Sequence, residues 1–450
     1  VSPTNPMVVF ANNYIGGNFK SEDGGRTWVN SSDGYTGATL KMIKVDPRNS
    51  REVYCVGSSG TFKSSDGGST WTGLNYEPLR GNNDRVVSIH PTNSNVVLVT
   101  KDGEGQIFKS SNAGMSWNLL YQYPDSYDSS NWHFFRAIKY SPSNPSIIYA
   151  GMRRAQNINY IDPGDGPSHG MFKSLDSGQT WNQINNGLEQ TYRKCINDIL
   201  IDPNDPKLVY IATYKNGIWK TTNGGELWVC KTSGFGEITD VRSLAMHPAN
   251  HNVILAGTRE NGIWKTTDGG DTWKNISVGM HSNAAILSIV FYPADPQTIY
   301  AADLTSGVYR SKDGGQTWYV MNDGLTNRAV ISLDISSDGS ILYAGTSGEG
   351  VFRMTLPGML FVNKDNDTCD GNSPCYTSIQ DAISTASSGA VLRIAQGTYD
   401  EALVLNESKS LTLKGGWDSS FSTQTSNTTF IKAPKATQGS LTLQMVTIRP

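Results

Sequence analysis

Seven times along this 450-residue chain a short box closes on a tryptophan, and no other feature restricts the fold as tightly. Strict copies read SEDGGRTW at 21–28, SSDGGSTW at 64–71, TTDGGDTW at 266–273 and SKDGGQTW at 311–318. Looser copies read SSNAGMSW at 110–117, SLDSGQTW at 174–181 and TTNGGELW at 221–228. Successive tryptophans stand 43, 46, 64, 47, 45 and 45 positions apart. A period of that size means one supersecondary unit per copy, either a propeller blade or a solenoid coil.

The run 240–273 resolves the unit. VRSLAM is a first strand (A), HPANHN a turn, VILAGT a second strand (B) and GIWKTT a third (C). DGGDT is a tight glycine-rich hairpin, and its Trp opens a fourth strand (D). Four short antiparallel strands per roughly 45 residues make a propeller blade. Eight B–C pairs can be read, from MVVFANN at 7–13 to ILYAGT at 341–346 with their C strands, and they predict eight blades, with seven as the alternative. The first unit has no A strand and the last has no D strand. Closure by strand exchange from the N-terminal side is therefore expected, and both ends are expected to break off within a unit.

Within the box, two glycines allow the positive φ of the hairpin. The side chains of Asp23, Asp66, Asp176, Asp268 and Asp313 are placed to accept backbone N–H bonds and fix the turn. Trp28, Trp71, Trp117, Trp181, Trp228, Trp273 and Trp318 supply large apolar area between sheets. A ligand role for these aspartates is the weaker reading, because a repeated turn explains every copy.

These boxes resemble Asp-box, or BNR, repeats, which occur in sialidases, sortilin-type receptors and xyloglucanase-type glycoside hydrolases. The resemblance covers residues 1–355 and implies an all-β propeller without fixing a function. From 356 to 450 the pattern changes. SIQDAISTA reads as a short amphipathic helix, followed by the alternating runs VLRIA, ALVLN, SLTLKG, TTFIKA and SLTLQMVTI. SIQDAI, AQGTY and LTLKGGW resemble the cap and first coils of a right-handed, pectate-lyase-like parallel β-helix. Two domains are therefore expected, 1–355 and 356–450.

Charge excludes one class of partner. The formal net charge is −3 and no block of Lys or Arg stands out, so neither nucleic acid nor an anionic membrane is expected as the main partner. No apolar run approaches the length of a transmembrane helix. Of five cysteines, Cys369 and Cys375 flank the loop CDGNSPC and are expected to pair, which suits an oxidising compartment. Cys55, Cys195 and Cys230 lie in apolar runs and are expected to be buried thiols. Asp365, Asp367 and Asp370 form a weak calcium candidate without EF-hand spacing, and a solvated acidic loop is the preferred reading. No cofactor is called for.

Strand order places the boxes and the A–B turns on one face, and the D–A and B–C loops on the other. The 64-residue interval carries its extra length in two loops of that second face, roughly 121–133 and 153–169. They hold Tyr121, Tyr123, Tyr127, Trp132, His133, Arg153, Arg154, Tyr160, Asp162 and His169, a mixture of aromatic and polar groups suited to a sugar ring or a protein partner. Covering the propeller mouth is the bland alternative. A glycosidase needs two carboxylates facing each other across the scissile bond. Asp198, Asp240 and Asp334, at or near the A strands, are the candidates, but nothing in the sequence pairs any two. The sequence therefore reads as an extracellular or cell-surface binding, adhesion or scaffold protein for a polysaccharide or protein, within a larger surface assembly. An inverting glycoside hydrolase and a structural subunit or assembly factor are the alternatives.

Overall fold

The computed structural model describes residues 5, 7–13, 17–27, 29–30, 39–74, 84–101, 105–124, 132–155, 169–188, 195–236, 240–372, 374–421, 423–424 and 429–449. The chain divides into two compact units. One comprises Val1–Phe291, Pro296–Asp334 and Tyr343–Phe352; the other comprises Tyr292–Asp295, Ile335–Leu342 and Arg353–Pro450.

The first unit is a seven-bladed propeller. Blades 1–7 begin with the inner strands Leu40–Asp46, Asp84–Ile89, Trp132–Tyr140, Ile196–Ile201, Val241–Met246, Ile286–Phe291 and Val330–Ile335. Blades 1–6 are four-stranded antiparallel sheets with strands in chain order, and blade 7 has three strands. The expectation of eight blades is thereby corrected. Among the described residues, Val9–Asn13, Gly17–Ser21 and Val29–Asn30 form a separate three-stranded sheet without an inner strand. Nor does Val29–Asn30 exchange onto blade 7: it pairs with Phe19 and Lys20 of its own sheet. The ring closes instead between blades 7 and 1. Thr39 bridges Ser347, the Ile43 N–H donates to Oγ of Ser332 at 3.1 Å, and the Val45 N–H donates to Asp334 at 2.8 Å.

The cores lie between blades rather than within them, because each sheet buries one face against the next. Between blades 3 and 4, for example, Ala137, Tyr149 and Met171 meet Ile199, Val209, Trp219 and Trp228. The box tryptophan of one blade fills the gap to the preceding one. The indole N–H groups of Trp117, Trp228 and Trp318 donate to the carbonyls of Leu74, Ile184 and Ile276 at 3.2, 2.7 and 2.7 Å. Glycine is required where the chain passes closest to that tryptophan. Gly279 has φ +94°, and a Cβ there would stand 2.2 Å from the Trp318 carbonyl oxygen. A lysine latch recurs as well: the amines of Lys173, Lys220 and Lys265 each donate to a box-glycine carbonyl of the following blade, at 2.8–2.9 Å.

The boxes themselves are closed hydrogen-bond circuits. In SKDGGQTW the Ser311 hydroxyl donates to Asp313 at 2.7 Å and accepts the Gly315 N–H at 2.9 Å. Asp313 also accepts the Thr317 N–H at 2.9 Å and the Thr317 hydroxyl at 2.5 Å. Asp66, Asp176 and Asp268 repeat this circuit with Thr70, Thr180 and Thr272. Asp23 does so with Thr27. Trp28 lies outside the described residues.

The second unit is built on three parallel sheets. Cys375–Tyr376, Met359–Val362, Val391–Ala395, Ser410–Trp417 and Ser440–Gln444 lie side by side in the first. Gly397–Tyr399, Thr429–Lys432 and Thr447–Arg449 make the second, and Val404–Leu405 with Lys435–Ala436 the third. Leu360, Val362, Leu392, Ile394, Leu411 and Leu413 turn inward with the helix residues Ile379 and Ile383. That helix, Ile379–Thr385, is capped twice. Ser378 accepts the Asp381 N–H, and the Glu401 carboxylate accepts the N–H groups of Ile379 and Gln380 at 2.8 and 3.0 Å. Cys369 and Cys375 form a disulfide. Cys55 and Cys195 are buried thiols, whereas Cys230 lies exposed on the outer strand Val229–Cys230, where a two-residue edge strand has no second sheet face to cover it.

Candidate functional site

The seven inner strands enclose a channel with a cavity of about 460 Å³. Its most unusual feature comes from one repeated irregularity. In blades 1–6 the inner strand carries a β-bulge that skips one residue in the register, after the first residue of the strand or, in the longer strand of blade 3, after the fourth. A bulge re-aims the side chain of the extra residue. The residues in that position are Lys41, Arg85, Arg136, Asn197, Arg242 and Leu287, and all of them line the channel. Ile331 of blade 7 lines it beside Leu287. One sector of the wall is therefore cationic and the opposing sector apolar.

A fourth arginine joins this layer. Arg153, near the end of the second strand of blade 3, is 2 % exposed and holds its guanidinium 5.0 Å from the ring centre of Tyr214. The Arg242 guanidinium stands 6.0 Å from the same ring, and that of Arg85 lies 4.5 Å from the ring of Phe134. Aromatic faces hold guanidinium groups flat and favourably. Burial pushes the Arg136 guanidinium well below the usual arginine range, and the charges of Arg153, Arg242 and Arg85 push it further. Burial also lowers Arg153. Asp240 opposes both effects, and it is paired with Arg242 and accepts from Nδ2 of Asn197 at 2.9 Å. The cluster sits where inner strands begin and second strands end, at the end of the blade opposite the boxes.

The three carboxylates proposed as acid–base candidates are tied into the wall. Asp198 accepts from Lys139 Nζ at 2.9 Å and from the Leu244 N–H of the next blade at 2.9 Å. Asp334 takes Lys44 Nζ at 3.0 Å together with the Val45 N–H across the ring closure. Asp240 is held as described. Each carboxylate thus links neighbouring strands or a neighbouring cation.

The aromatic candidates of the two long loops divide. Tyr121 packs toward Phe135, Phe172 and Trp181, with ring centres 5.8–6.4 Å apart. Tyr123 is buried, and its hydroxyl meets Nδ1 of His169 at 2.9 Å. These two tyrosines belong to the core between blades 2 and 3. The backbone of Trp132 and His133 pairs with that of Ala155 and Arg154, lengthening the first two strands of blade 3 beyond those of its neighbours. Tyr127, Tyr160 and Asp162 lie outside the described residues. In the second unit Asp365 pairs with Lys364, and Asp370 accepts from Asn366 at 2.7 Å. Among the described residues no group of three or more His, Cys, Asp or Glu side chains is placed to hold a metal ion. Among them, too, no helix is long and apolar enough to cross a membrane.

Sequence reasoning named Arg153 but missed Lys41, Arg85, Arg136 and Arg242. Their signal was present as a cation at the same position of four inner strands, visible only when the A strands are aligned by their bulge.

The fold and the box circuits define a seven-bladed Asp-box propeller. The model of the Sortilin-Vps10 family, described as sortilin, neurotensin receptor 3, matches residues 18–157 and 229–351, more than half of the sequence, and the chain belongs to that family. No protein of curated function matches the sequence. Among solved structures, the GH74 xyloglucanase from Xanthomonas campestris is similar at TM-score 0.55 and 14% identity, over 71% of this chain and 52% of that one. The Niastella koreensis GH74 enzyme is similar at TM-score 0.55 and 18% identity, over 72% and 53%. The chain thus spans about half the length of each enzyme. YCF48 bound to D1 peptide is similar at TM-score 0.51 and 16% identity, over 72% of this chain and 94% of that one. At these identities the likeness concerns the fold.

Proposed function

We propose that this is a non-catalytic binding protein, secreted or displayed at a cell surface, that recognises a polysaccharide or protein through the propeller face opposite the Asp boxes. The observation that carries the reading is the cationic sector of the channel wall, which opens toward that face and contrasts with the near-neutral chain around it. Fixed charge on a rigid ring suits recognition, because the ring need not reorganise on binding. The parallel sheets of the second unit are read as the start of a right-handed β-helix that carries the propeller within a larger surface assembly.

Two other readings have a specific basis. The likeness to GH74 enzymes keeps an inverting glycoside hydrolase in view. The likeness to YCF48, solved with a D1 peptide, keeps an assembly factor in view. One experiment separates the three: immobilised chain is screened against neutral and acidic polysaccharides and against extracellular peptides, with reducing ends assayed in parallel. Binding without new reducing ends, weakened by Trp132→Ala and Tyr160→Ala, supports the proposal. Release of reducing ends, or binding that those substitutions leave unchanged, overturns it.

A further inference from the structure

We propose that the outer edge of blade 6 is a docking site for an extended polypeptide segment of another protein, which adds to this four-stranded blade as a fifth strand. The site belongs to the outermost strand of the blade, not to the channel or the long loops, so it stands apart from the ligand face proposed above.

Backbone geometry is the first support. The outer strand Tyr319–Val320 pairs with Arg310 and Tyr309, and just beyond it the Met321 N–H donates to the Val308 carbonyl at 2.7 Å. Antiparallel ladders alternate bonded and non-bonded pairs, so Arg310 with Tyr319 is a bonded pair and Tyr309 with Val320 is not. The N–H and C=O of Val320 therefore point out of the blade, and among the described residues neither has a hydrogen-bond partner. Two residues earlier the Trp318 N–H also points outward, and the Val278 carbonyl of blade 5 accepts it at 2.9 Å. An outward N–H and C=O on an edge strand form a template for another backbone.

Side chains are the second, and the repeat supplies its own controls. The same seam occurs three times: the N–H groups of Trp228, Trp273 and Trp318 donate to the carbonyls of Asn186, Ser233 and Val278 at 2.9 Å, each just before a glycine with φ of 94–98°. At the seam of blades 4 and 5 the edge carries Ser233, Lys274 and Asn275, and a lysine is a usual means of blunting an exposed edge. The seam of blades 3 and 4 is mixed, with Asn186, Val229 and Cys230. At the seam of blades 5 and 6 the same positions are Val278, Tyr319 and Val320, which are 66, 66 and 55 % exposed. All three are apolar, and tyrosine stands where blade 5 has its lysine. Tyr319 and Val320 point to opposite faces of the sheet, so an added strand meets an apolar side chain on each face.

The occupant follows from these features. An outward amide beside an outward carbonyl matches a polypeptide backbone rather than a sugar ring. Three side chains fall well short of the ~800 Å² that each partner gives to a stable dimer, so a second copy of this chain is not the occupant. A single extended segment fits, held by a few backbone bonds and presenting apolar residues at alternate positions.

The test uses the whole chain and a fluorescein-labelled peptide of alternating valine and threonine, flanked by lysines for solubility. Binding is read by fluorescence anisotropy and by hydrogen exchange. Saturable binding with slower exchange at the Val320 amide is expected. Tyr319→Lys copies blade 5 at an exposed position and should weaken binding about tenfold, as loss of an anchoring aromatic does. Val320→Pro deletes the outward N–H, leaves the inward ladder bonds in place and should abolish binding. Lys274→Ala, on the edge of blade 5, should leave binding unchanged. The same peptide N-methylated at alternate amides keeps its side chains, loses the donors and should not bind. Equal binding of the N-methylated peptide, full affinity in Tyr319→Lys, or an unprotected Val320 amide overturns the proposal. Sedimentation that shows self-association of the parent, removed by Tyr319→Lys, assigns the edge to a second copy and overturns it too.

Discussion

Trp318 gives the sharpest test of how the ring is held. It is 1 % exposed and packs among Ile286, Ile289, Ile299 and Tyr309. Its indole N–H donates to the Ile276 carbonyl at 2.7 Å and its backbone N–H to that of Val278 at 2.9 Å, so one residue joins blade 6 to blade 5. Trp318→Ala removes a wholly buried indole and is expected to cost about 3–5 kcal/mol. Trp318→Phe keeps most of the apolar contact but leaves the Ile276 carbonyl unpaired, for about 1–2 kcal/mol. Trp181 is the internal control. It is half-buried, and its indole donates to Gly178 of its own box at 2.8 Å, so it joins no blades by that bond. Trp181→Ala should cost no more than about half as much as Trp318→Ala. The assay is equilibrium urea unfolding followed by circular dichroism, with the propeller transition fitted separately because two units need not unfold together. Equal losses in Trp181→Ala and Trp318→Ala, or no loss in Trp318→Phe, would refute the inter-blade role.

Three further outcomes follow from particular contacts. Hydrogen bonds from the hydroxyl and N–H of Thr180 and Thr317 hold Asp176 and Asp313 at about 2, below the ordinary value of 3.8. Their contribution is present above the unfolded value and lost as pH falls toward 2, so the parent should lose stability between about pH 4 and pH 2 more steeply than Asp176→Asn with Asp313→Asn; parallel curves contradict this. Glu401→Ala leaves the Ile379 and Gln380 N–H groups uncapped and should cost about 1–2 kcal/mol, with faster hydrogen exchange at those two amides. Gly279→Ala meets both a positive φ and the Trp318 carbonyl and should cost at least about 2 kcal/mol, clearly more than Gly324→Ala, where φ is +77° but nothing lies within 4 Å.

What the sequence revealed tracks how local each feature is. The box is a turn whose donors and acceptors lie within eight residues, so Asp313, Thr317 and Trp318 could be assigned from spacing alone. The number of blades depends on which units bring an inner strand to the channel. Counting B–C pairs included Val9–Asn30, whose sheet is not one of the seven that close the ring, and so gave one blade too many. Asp198 and Asp334 resembled catalytic acids only while their partners were invisible; Leu244 and Val45 are 46 and 289 residues away. The arginine layer was hidden for the same reason. Arg85, Arg136 and Arg242 are scattered singly through the chain, and only a repeated bulge brings them to one level. Tyr121 and Tyr123 were judged by type and loop position, whereas strand Asn118–Gln122 turns Tyr121 toward Phe135 and Phe172.

Channel shape and arginine layer both depend on where the circle of blades closes, and a cross-link reads that directly. Thr39 and Ser347 are bridge partners across the junction of blades 1 and 7. Thr39→Cys with Ser347→Cys, made with Cys230→Ser to remove the exposed thiol, is oxidised and mapped by peptide mass spectrometry. A seven-bladed ring predicts near-complete formation of the 39–347 disulfide in folded protein, since antiparallel neighbours lie within disulfide reach. Failure of those two cysteines to pair, with the 9–30 segment protected from exchange as an inserted blade, would contradict it.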